Sequence, residues 1–133
     1  MSVLTLADAQ ALVVAAQQKA DEIGIKVCVA VIDHSTQLQA FARMDGAFLG
    51  SVDVAIKKAK TAMLFPLPTD TFGGLIRSAE LTGMELSNDG MMCFAGGVPI
   101  MRDAQHIAAI GISGGSAEQD LEIAQFAIQQ SIK

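Results

Sequence analysis

The stretch His106-Ile107-Ala108-Ala109-Ile110-Gly111-Ile112-Ser113-Gly114-Gly115-Ser116-Ala117-Glu118-Gln119-Asp120 reads as a buried strand that runs through a glycine turn into a capped helix. Ser116 followed three residues later by Gln119 has capping-box spacing, and Gly114-Gly115 frees the backbone just ahead of the helix. The first N–H groups of a helix lack intrahelical partners and carry partial positive charge, so a ligand carboxylate or phosphate can dock at such a junction. The competing reading is that Ser116, Glu118 and Asp120 satisfy this helix end themselves. Arg43 and Asp45 stand at a strand end beside Gly46, where the guanidinium can clamp a ligand carboxylate bidentately or close onto Asp45 as an internal ion pair. The Gly96-Gly97 and Gly114-Gly115 turns would let a ligand approach the backbone closely. The expectation is that Arg43 and Ser113-Gly114-Gly115-Ser116 form one anion-binding corner.

His34 and His106 are the only histidines, both beside turns, and with Asp45 they are the candidate bases for any proton transfer. Exposed turn histidines without a role are the alternative. Met84, Met91, Met92 and Met101 surround an irregular segment, where flexible thioethers can line a flat apolar ligand or simply fill the core. Lys58 can anchor an acid or sit at the surface paired to Asp53 or Glu80. Cys28 and Cys93 form no CxxC pair, lie in apolar runs and are expected as buried thiols. No zinc-type ligand spacing, nucleophile elbow, Walker loop or full dinucleotide fingerprint occurs. Ser113, His106 and Asp120 make a Ser–His–Asp set by residue type alone.

These residues need a scaffold, and the chain of 133 residues is long enough to close one substantial core, so a single domain over residues 1–133 is expected. Leu6, Ala9, Val13, Ala16, Ala20 and Ile23 recur at helical spacing between Thr5 and Gly24. Val27 to Ile32 and Leu38 to Met44 read as an antiparallel hairpin across Asp33-His34-Ser35-Thr36-Gln37. Ser51 to Phe65 reads as a helix stopped by Pro66, with Val52, Ile56, Ala59 and Met63 inward and Lys57, Lys58 and Lys60 on a solvated face. A short helix follows from Pro68-Thr69-Asp70 to Arg77, then the irregular Ser78 to Gly90. Met91 to Phe94, Val98 to Arg102 and Ile107 to Ser113 are three further strands, ahead of a final helix over residues 117–131. The fold expected is α+β, with five strands in a largely antiparallel sheet.

The apolar fraction of 51% against 17% charged residues is high for a small domain, which points to a homo-oligomer. The net charge of −5, with no Trp or Tyr, excludes nucleic acid and anionic membranes as natural partners. Met1-Ser2-Val3-Leu4-Thr5 has no basic region followed by an apolar run, and no stretch has the length of a membrane span, so the cytoplasm is expected.

The ordered series Val29-Ala30-Val31-Ile32-Asp33, Arg43-Met44-Asp45-Gly46-Ala47, Ser51 to Ala55 with Lys58-Ala59-Lys60-Thr61-Ala62, Gly96-Gly97-Val98-Pro99-Ile100 and Ile110-Gly111-Ile112-Ser113-Gly114-Gly115 with Gln119-Asp120 resembles the GlcG/HbpS-like family over nearly the whole chain. That family includes haem-binding proteins and the C-terminal domain of PduO-type cobalamin adenosyltransferases, with members in catabolic gene clusters. The resemblance implies a profilin-like α-β-α sandwich, self-association and a haem or tetrapyrrole ligand. It also singles out Lys58 as the middle-helix base that fits the family pattern. Two turns depart from the pattern: Asp33-His34-Ser35-Thr36-Gln37 lacks the usual glycine, and Asp103-Ala104-Gln105 replaces an Asp-Gly turn, so both are expected to be remodelled.

Two classes of function follow. One is an accessory protein that holds haem at Arg43, Asp45, Lys58, Gly96, Gly97 and Ser113-Gly114-Gly115-Ser116, with His34 or His106 as axial ligand; Met91 or Met92 is a weaker candidate ligand. The other is a small catabolic enzyme that moves a proton on an organic acid, with Asp45, His34 or His106 as base. A fold alone does not choose between them.

Overall fold

The first helix, α1 (Leu6–Ile23), is bounded by the residues its sequence offers for that purpose. In the computed structural model, which describes residues 3–133, the Thr5 side chain accepts the Asp8 N–H and the Asp8 carboxylate accepts the Thr5 N–H, both at 3.1 Å. This is a reciprocal capping box. Gly24 ends the helix at φ 79°, a left-handed conformation that favours glycine. Ala9, Ala16 and Ala20 face inward as expected, but Leu12 and Ala15 complete the buried stripe while Leu6 is 55% exposed.

Two hairpins make the sheet. β1 (Cys28–Asp33) pairs with β2 (Leu38–Arg43), and β3 (Gly97–Arg102) pairs with β4 (Gln105–Ser113). The strand order is β2-β1-β4-β3 with every pairing antiparallel. In the first turn the Asp33 carboxylate collects the Ser35 N–H (2.9 Å), the Ser35 hydroxyl (2.6 Å) and the Gln37 N–H (3.3 Å), which replaces the missing glycine with side-chain bonds. In the second, Arg102 faces Gln105 across Asp103 and Ala104, at φ 51° and 63°. That is the two-residue geometry in which both central residues are left-handed. The turn is therefore kept, with Ala104 held where glycine would be relaxed.

The sheet has four strands, not the five expected. Met91 to Phe94 is apolar enough for a strand, yet its backbone is bonded elsewhere. The Met91 N–H goes to the Glu85 carbonyl (2.7 Å), the Met92 N–H to the Thr61 hydroxyl (3.1 Å), and the Phe94 carbonyl accepts the Thr69 hydroxyl (2.6 Å). Three of the groups that a strand ladder would use are thus committed elsewhere.

One face of the sheet, with Val27, Val29, Val31, Ile100, Ile110 and Ile112, packs against α1 and α4 (Ala117–Ser131). The other, with Cys28, Ala30 and Ile32, packs against Ala55 and Ala59 of α2 (Ser51–Leu64). The result is an α-β-α layering of helices on both faces of an antiparallel sheet. α2 lies directly on β4 at Gly111, where a Cβ would stand 2.0 Å from the Ala55 carbonyl oxygen and 2.6 Å from the Ala59 nitrogen. α3 (Thr69–Ser78) and a 3₁₀ turn at Met84–Leu86 frame a satellite cluster of Phe72, Ile76 and Met91, in which Phe65 stacks on Phe72 at 4.8 Å between ring centroids. None of the described helices is long and apolar enough to cross a membrane.

The helix-on-sheet contact gives a sharp expectation. Gly111→Ala forces backbone against backbone and should destabilise the fold by about 3 kcal/mol or more. Gly24→Ala, with open space around it, should cost only the roughly 1–2 kcal/mol of a left-handed alanine. Urea denaturation of the two variants checks the order; equal losses would refute the close contact.

Candidate functional site

The sheet register lines up three of the residues singled out by type. Cys28 faces Arg43 on one side and Ser113 on the other, and residues directly opposite in a sheet share a face. Arg43 and Ser113 are therefore brought to the same end of the sheet, with β1 between them and their Cα atoms roughly 10 Å apart. Ser113 is buried, whereas Arg43 and Asp45 are exposed. Among the described residues no carboxylate lies within ion-pair distance of Arg43, so the internal Arg43–Asp45 pair is not formed. The guanidinium is open to a ligand.

The glycine turn beside it is closed by the chain itself. The Gly115 N–H donates to Asp120 Oδ1 at 2.9 Å, the Ser116 N–H to Gln119 Oε1 at 2.9 Å, and the Gln119 N–H to Ser116 Oγ at 3.1 Å. An anion at the α4 N-terminus would have to displace these bonds. The glycines serve close approach of chain to chain: a Cβ on Gly114 would stand 2.4 Å from the Lys26 carbonyl oxygen, and one on Gly97 2.5 Å from the Lys58 carbonyl oxygen. At Gly96 it would lie 2.7 Å from Lys58 Nζ.

Lys58 is where the sequence expectation fails most clearly. It was expected on a solvated face, either anchoring an acid or paired to Asp53 or Glu80; instead Lys57 takes Asp53 (3.2 Å) and Lys58 is fully buried. Its ammonium donates to the Ile112 carbonyl (2.8 Å) and to Asp120 Oδ2 (3.2 Å), and lies 4.4 Å from the centre of the Phe94 ring. Burial pushes the Lys58 pKa down against the pull of Asp120, and burial pushes the Asp120 pKa up against Lys58 and the Gly115 and Gly114 N–H groups. Both directions say that removing these charges from water outweighs their attraction. The pair ties α2 to α4; two of the ammonium's three N–H donors are taken inside the chain and the Phe94 ring lies against it. The signal was present in the sequence: Ser51, Ala55, Lys58 and Ala62 are spaced four, three and four, so Lys58 belongs to the small-residue stripe that faces the sheet.

The histidines lie at the other end of the sheet. His34 follows β1 and is exposed; His106 is two residues before Ala108, which pairs with Asp33. From Cys28 to Asp33 is roughly 17 Å of strand, so within one chain neither imidazole joins Arg43, Asp45 or Ser113. The paper triad of Ser113, His106 and Asp120 is separated likewise. His106 is half-buried, with Nε2 lacking a hydrogen-bond partner among the described residues. Burial lowers its pKa, partly opposed by a backbone bond at Ala108. Of the four methionines, Met91 and Met92 line a pocket of about 300 Å³, Met84 packs on the satellite cluster, and Met101 is exposed on β3. The sequence reading missed Arg77, Glu85 and Cys93, which share that pocket. It also missed Thr61 and Thr69, whose buried hydroxyls hold the 91–97 segment in place. Both cysteines are free thiols.

Residues 4–129 match the family model described as haem degrading protein HbpS-like. The chain belongs to the HbpS-like family. It is 35% identical over 130 residues to an uncharacterised 15.0 kDa protein of the dhaT-dhaS intergenic region of Citrobacter freundii, covering 96% of this chain and 92% of that one. It is 38% identical over 128 residues to the corrinoid adenosyltransferase PduO of Salmonella typhimurium, covering 94% of this chain but only 38% of that longer protein. Among solved structures, the PduOC:heme complex superposes with a TM-score of 0.91 at 35% identity, covering 96% of this chain and 94% of that one. In this HbpS-like chain the family-pattern lysine, Lys58, is buried.

Two expectations follow for the buried groups. Lys58→Met strands Asp120 without its partner and should cost about 3–5 kcal/mol, whereas Lys58→Met combined with Asp120→Asn should recover part of that loss because the amide oxygen still accepts the Gly115 N–H. Chemical denaturation of single and double variants tests this, and a double variant weaker than the single would contradict it. For His106, the unfolded chain takes up a proton near the ordinary value of 6.5 that the buried imidazole resists. The unfolded state then binds more protons, so stability should fall as pH drops through 6.5 towards the lowered native value. His106→Gln should flatten that decline; an unchanged pH slope would rule it out.

Proposed function

We propose that this chain is a small-ligand-binding accessory protein that holds haem or a related planar tetrapyrrole. The observation that carries the reading is the solved PduOC:heme complex, with which this chain shares its fold over 96% of its length. The description of the matching family model points the same way. The surface supports it too: past Arg43, the segment before α2 leaves Phe48 72% and Leu49 77% exposed. An unpaired cation next to large uncovered apolar groups is what an acidic, flat, apolar ligand requires.

In this reading the ligand lies at the Arg43 end of the sheet. An imidazole ligand to its iron, if His34 or His106 supplies one, comes from a neighbouring copy, since neither reaches that end in its own chain. Self-association and a cytoplasmic setting belong to the same proposal. The enzyme reading has less to stand on, because Asp45 is the one candidate base at the end where Arg43 would hold an organic acid.

A haem titration followed at the Soret band should saturate at about one equivalent per chain. Arg43→Ala should weaken binding by about 1.5–3 kcal/mol without lowering the melting temperature, as Arg43 is exposed and unpaired. A large drop in melting temperature with unchanged affinity per folded molecule would make Arg43 structural instead. Sedimentation should show an oligomer; a monomer at micromolar concentration would remove the neighbouring-copy part of the proposal.

A further inference from the structure

The pocket of about 300 Å³ at Gly73, Ile76, Arg77, Met91, Met92 and Phe94 lies beyond β3, at the opposite edge of the sheet from β2 and Arg43. Its volume is at the small end of ligand pockets. α3 closes on the 91–94 segment because Gly73 has no side chain: a Cβ there would stand 2.0 Å from the Cys93 carbonyl oxygen. The lining is therefore a thiol, two thioethers and an aromatic ring, a polarisable apolar surface. Two charged side chains also line it, Arg77 and Glu85. The Arg77 guanidinium folds back over Gly73 and Gly74, within 3.5 Å and 4.0 Å of where their Cβ atoms would be. Among the described residues it has no ion-pair partner. The nearby Glu85 is turned to its own turn, where its carboxylate accepts the Gly83 N–H. Burial and then Glu85 push the Cys93 thiol pKa up, which favours the neutral thiol over the thiolate.

We infer that this pocket is a second binding site, for a small organic monocarboxylate with an apolar body, its carboxylate on Arg77 and its chain against Met91, Met92 and Phe94. The unpaired guanidinium selects the acid, and a volume of about 300 Å³ suits a small ligand. The site is independent of the haem reading and stands or falls separately.

The probe is hexanoate, with hexan-1-ol as its uncharged counterpart, added to the full chain carrying ¹³C-methyl methionine. Hexanoate should shift the Met91 and Met92 methyl signals saturably and leave that of Met101, which is exposed on β3, in place. Arg77→Gln should weaken hexanoate about tenfold with an unchanged melting temperature, and should leave the affinity for hexan-1-ol unaltered. Haem affinity of Arg77→Gln should match that of the unsubstituted chain. The proposal is overturned if hexanoate leaves Met91 and Met92 unmoved, if Arg77→Gln binds it equally well, or if Arg77→Gln loses haem as well, which would make the two sites one.

Discussion

A single buried ammonium fixes the relative placement of three elements. Lys58 comes from α2, Asp120 from α4 and the Ile112 carbonyl from β4, and α2 and α4 lie on opposite faces of the sheet. A charge in that position is tolerated only with its hydrogen bonds complete, since each unmet one costs about 1–3 kcal/mol or more. The backbone must accordingly open a path through the sheet's end, and glycine provides it. Gly96 passes where a side chain would strike both Lys58 Nζ and the Ile112 carbonyl, and Gly114 passes against Lys26 and Val27. Asp120 divides its two oxygens between Lys58 and the Gly115 N–H, so the same carboxylate that neutralises the lysine also shapes the turn into α4. The glycine-rich motifs and the lysine are one structural device.

That device explains which parts of the molecule were legible in the sequence. Caps and periodicity are local, and Thr5 with Asp8, Gly24, and Ser116 with Gln119 behave as their spacing indicates. The two hairpins also follow from alternation and turn residues. Failures arise where a tertiary contact overrides a local pattern. Met91 to Phe94 has strand composition, but Thr61 and Thr69, which lie far off in sequence, capture its backbone groups. Lys58 looks like one of a run of surface lysines, and only its place on the stripe of Ser51, Ala55 and Ala62 marks it as internal.

The site was legible in its residue types and less so in their partners. Arg43 and Ser113 were expected together, and the register places both opposite Cys28. The reading in which the α4 N-terminus is closed by its own side chains is the one that the hydrogen bonds of Ser116, Gln119 and Asp120 bear out, but spacing alone does not choose between it and a ligand there. Nor does it expose that both histidines lie a full strand length from Arg43. Sheet register, unlike helix spacing, depends on pairings between distant segments, and a residue at one end of a hairpin is carried to the far end of the sheet.

These constraints leave ligand chemistry to the rims. Chain packs closely against Gly96, Gly97 and Gly114, and the one buried cation among the described residues, Lys58, is held by Asp120, the Ile112 carbonyl and the Phe94 ring. What stays uncommitted is an arginine at either edge: Arg43 beside Phe48 and Leu49 beyond β2, and Arg77 over the thioether-lined pocket beyond β3. Arginine keeps its charge at any pH at which the protein is folded, and its planar fork matches a carboxylate. A chain with net charge −5 repels acids at long range. An acidic ligand that binds must therefore be recognised at contact distance, by one guanidinium and the apolar surface next to it. Discrimination between ligands then rests on that surface: exposed Phe48 and Leu49 near Arg43, a pocket lined by Met91, Met92 and Phe94 next to Arg77.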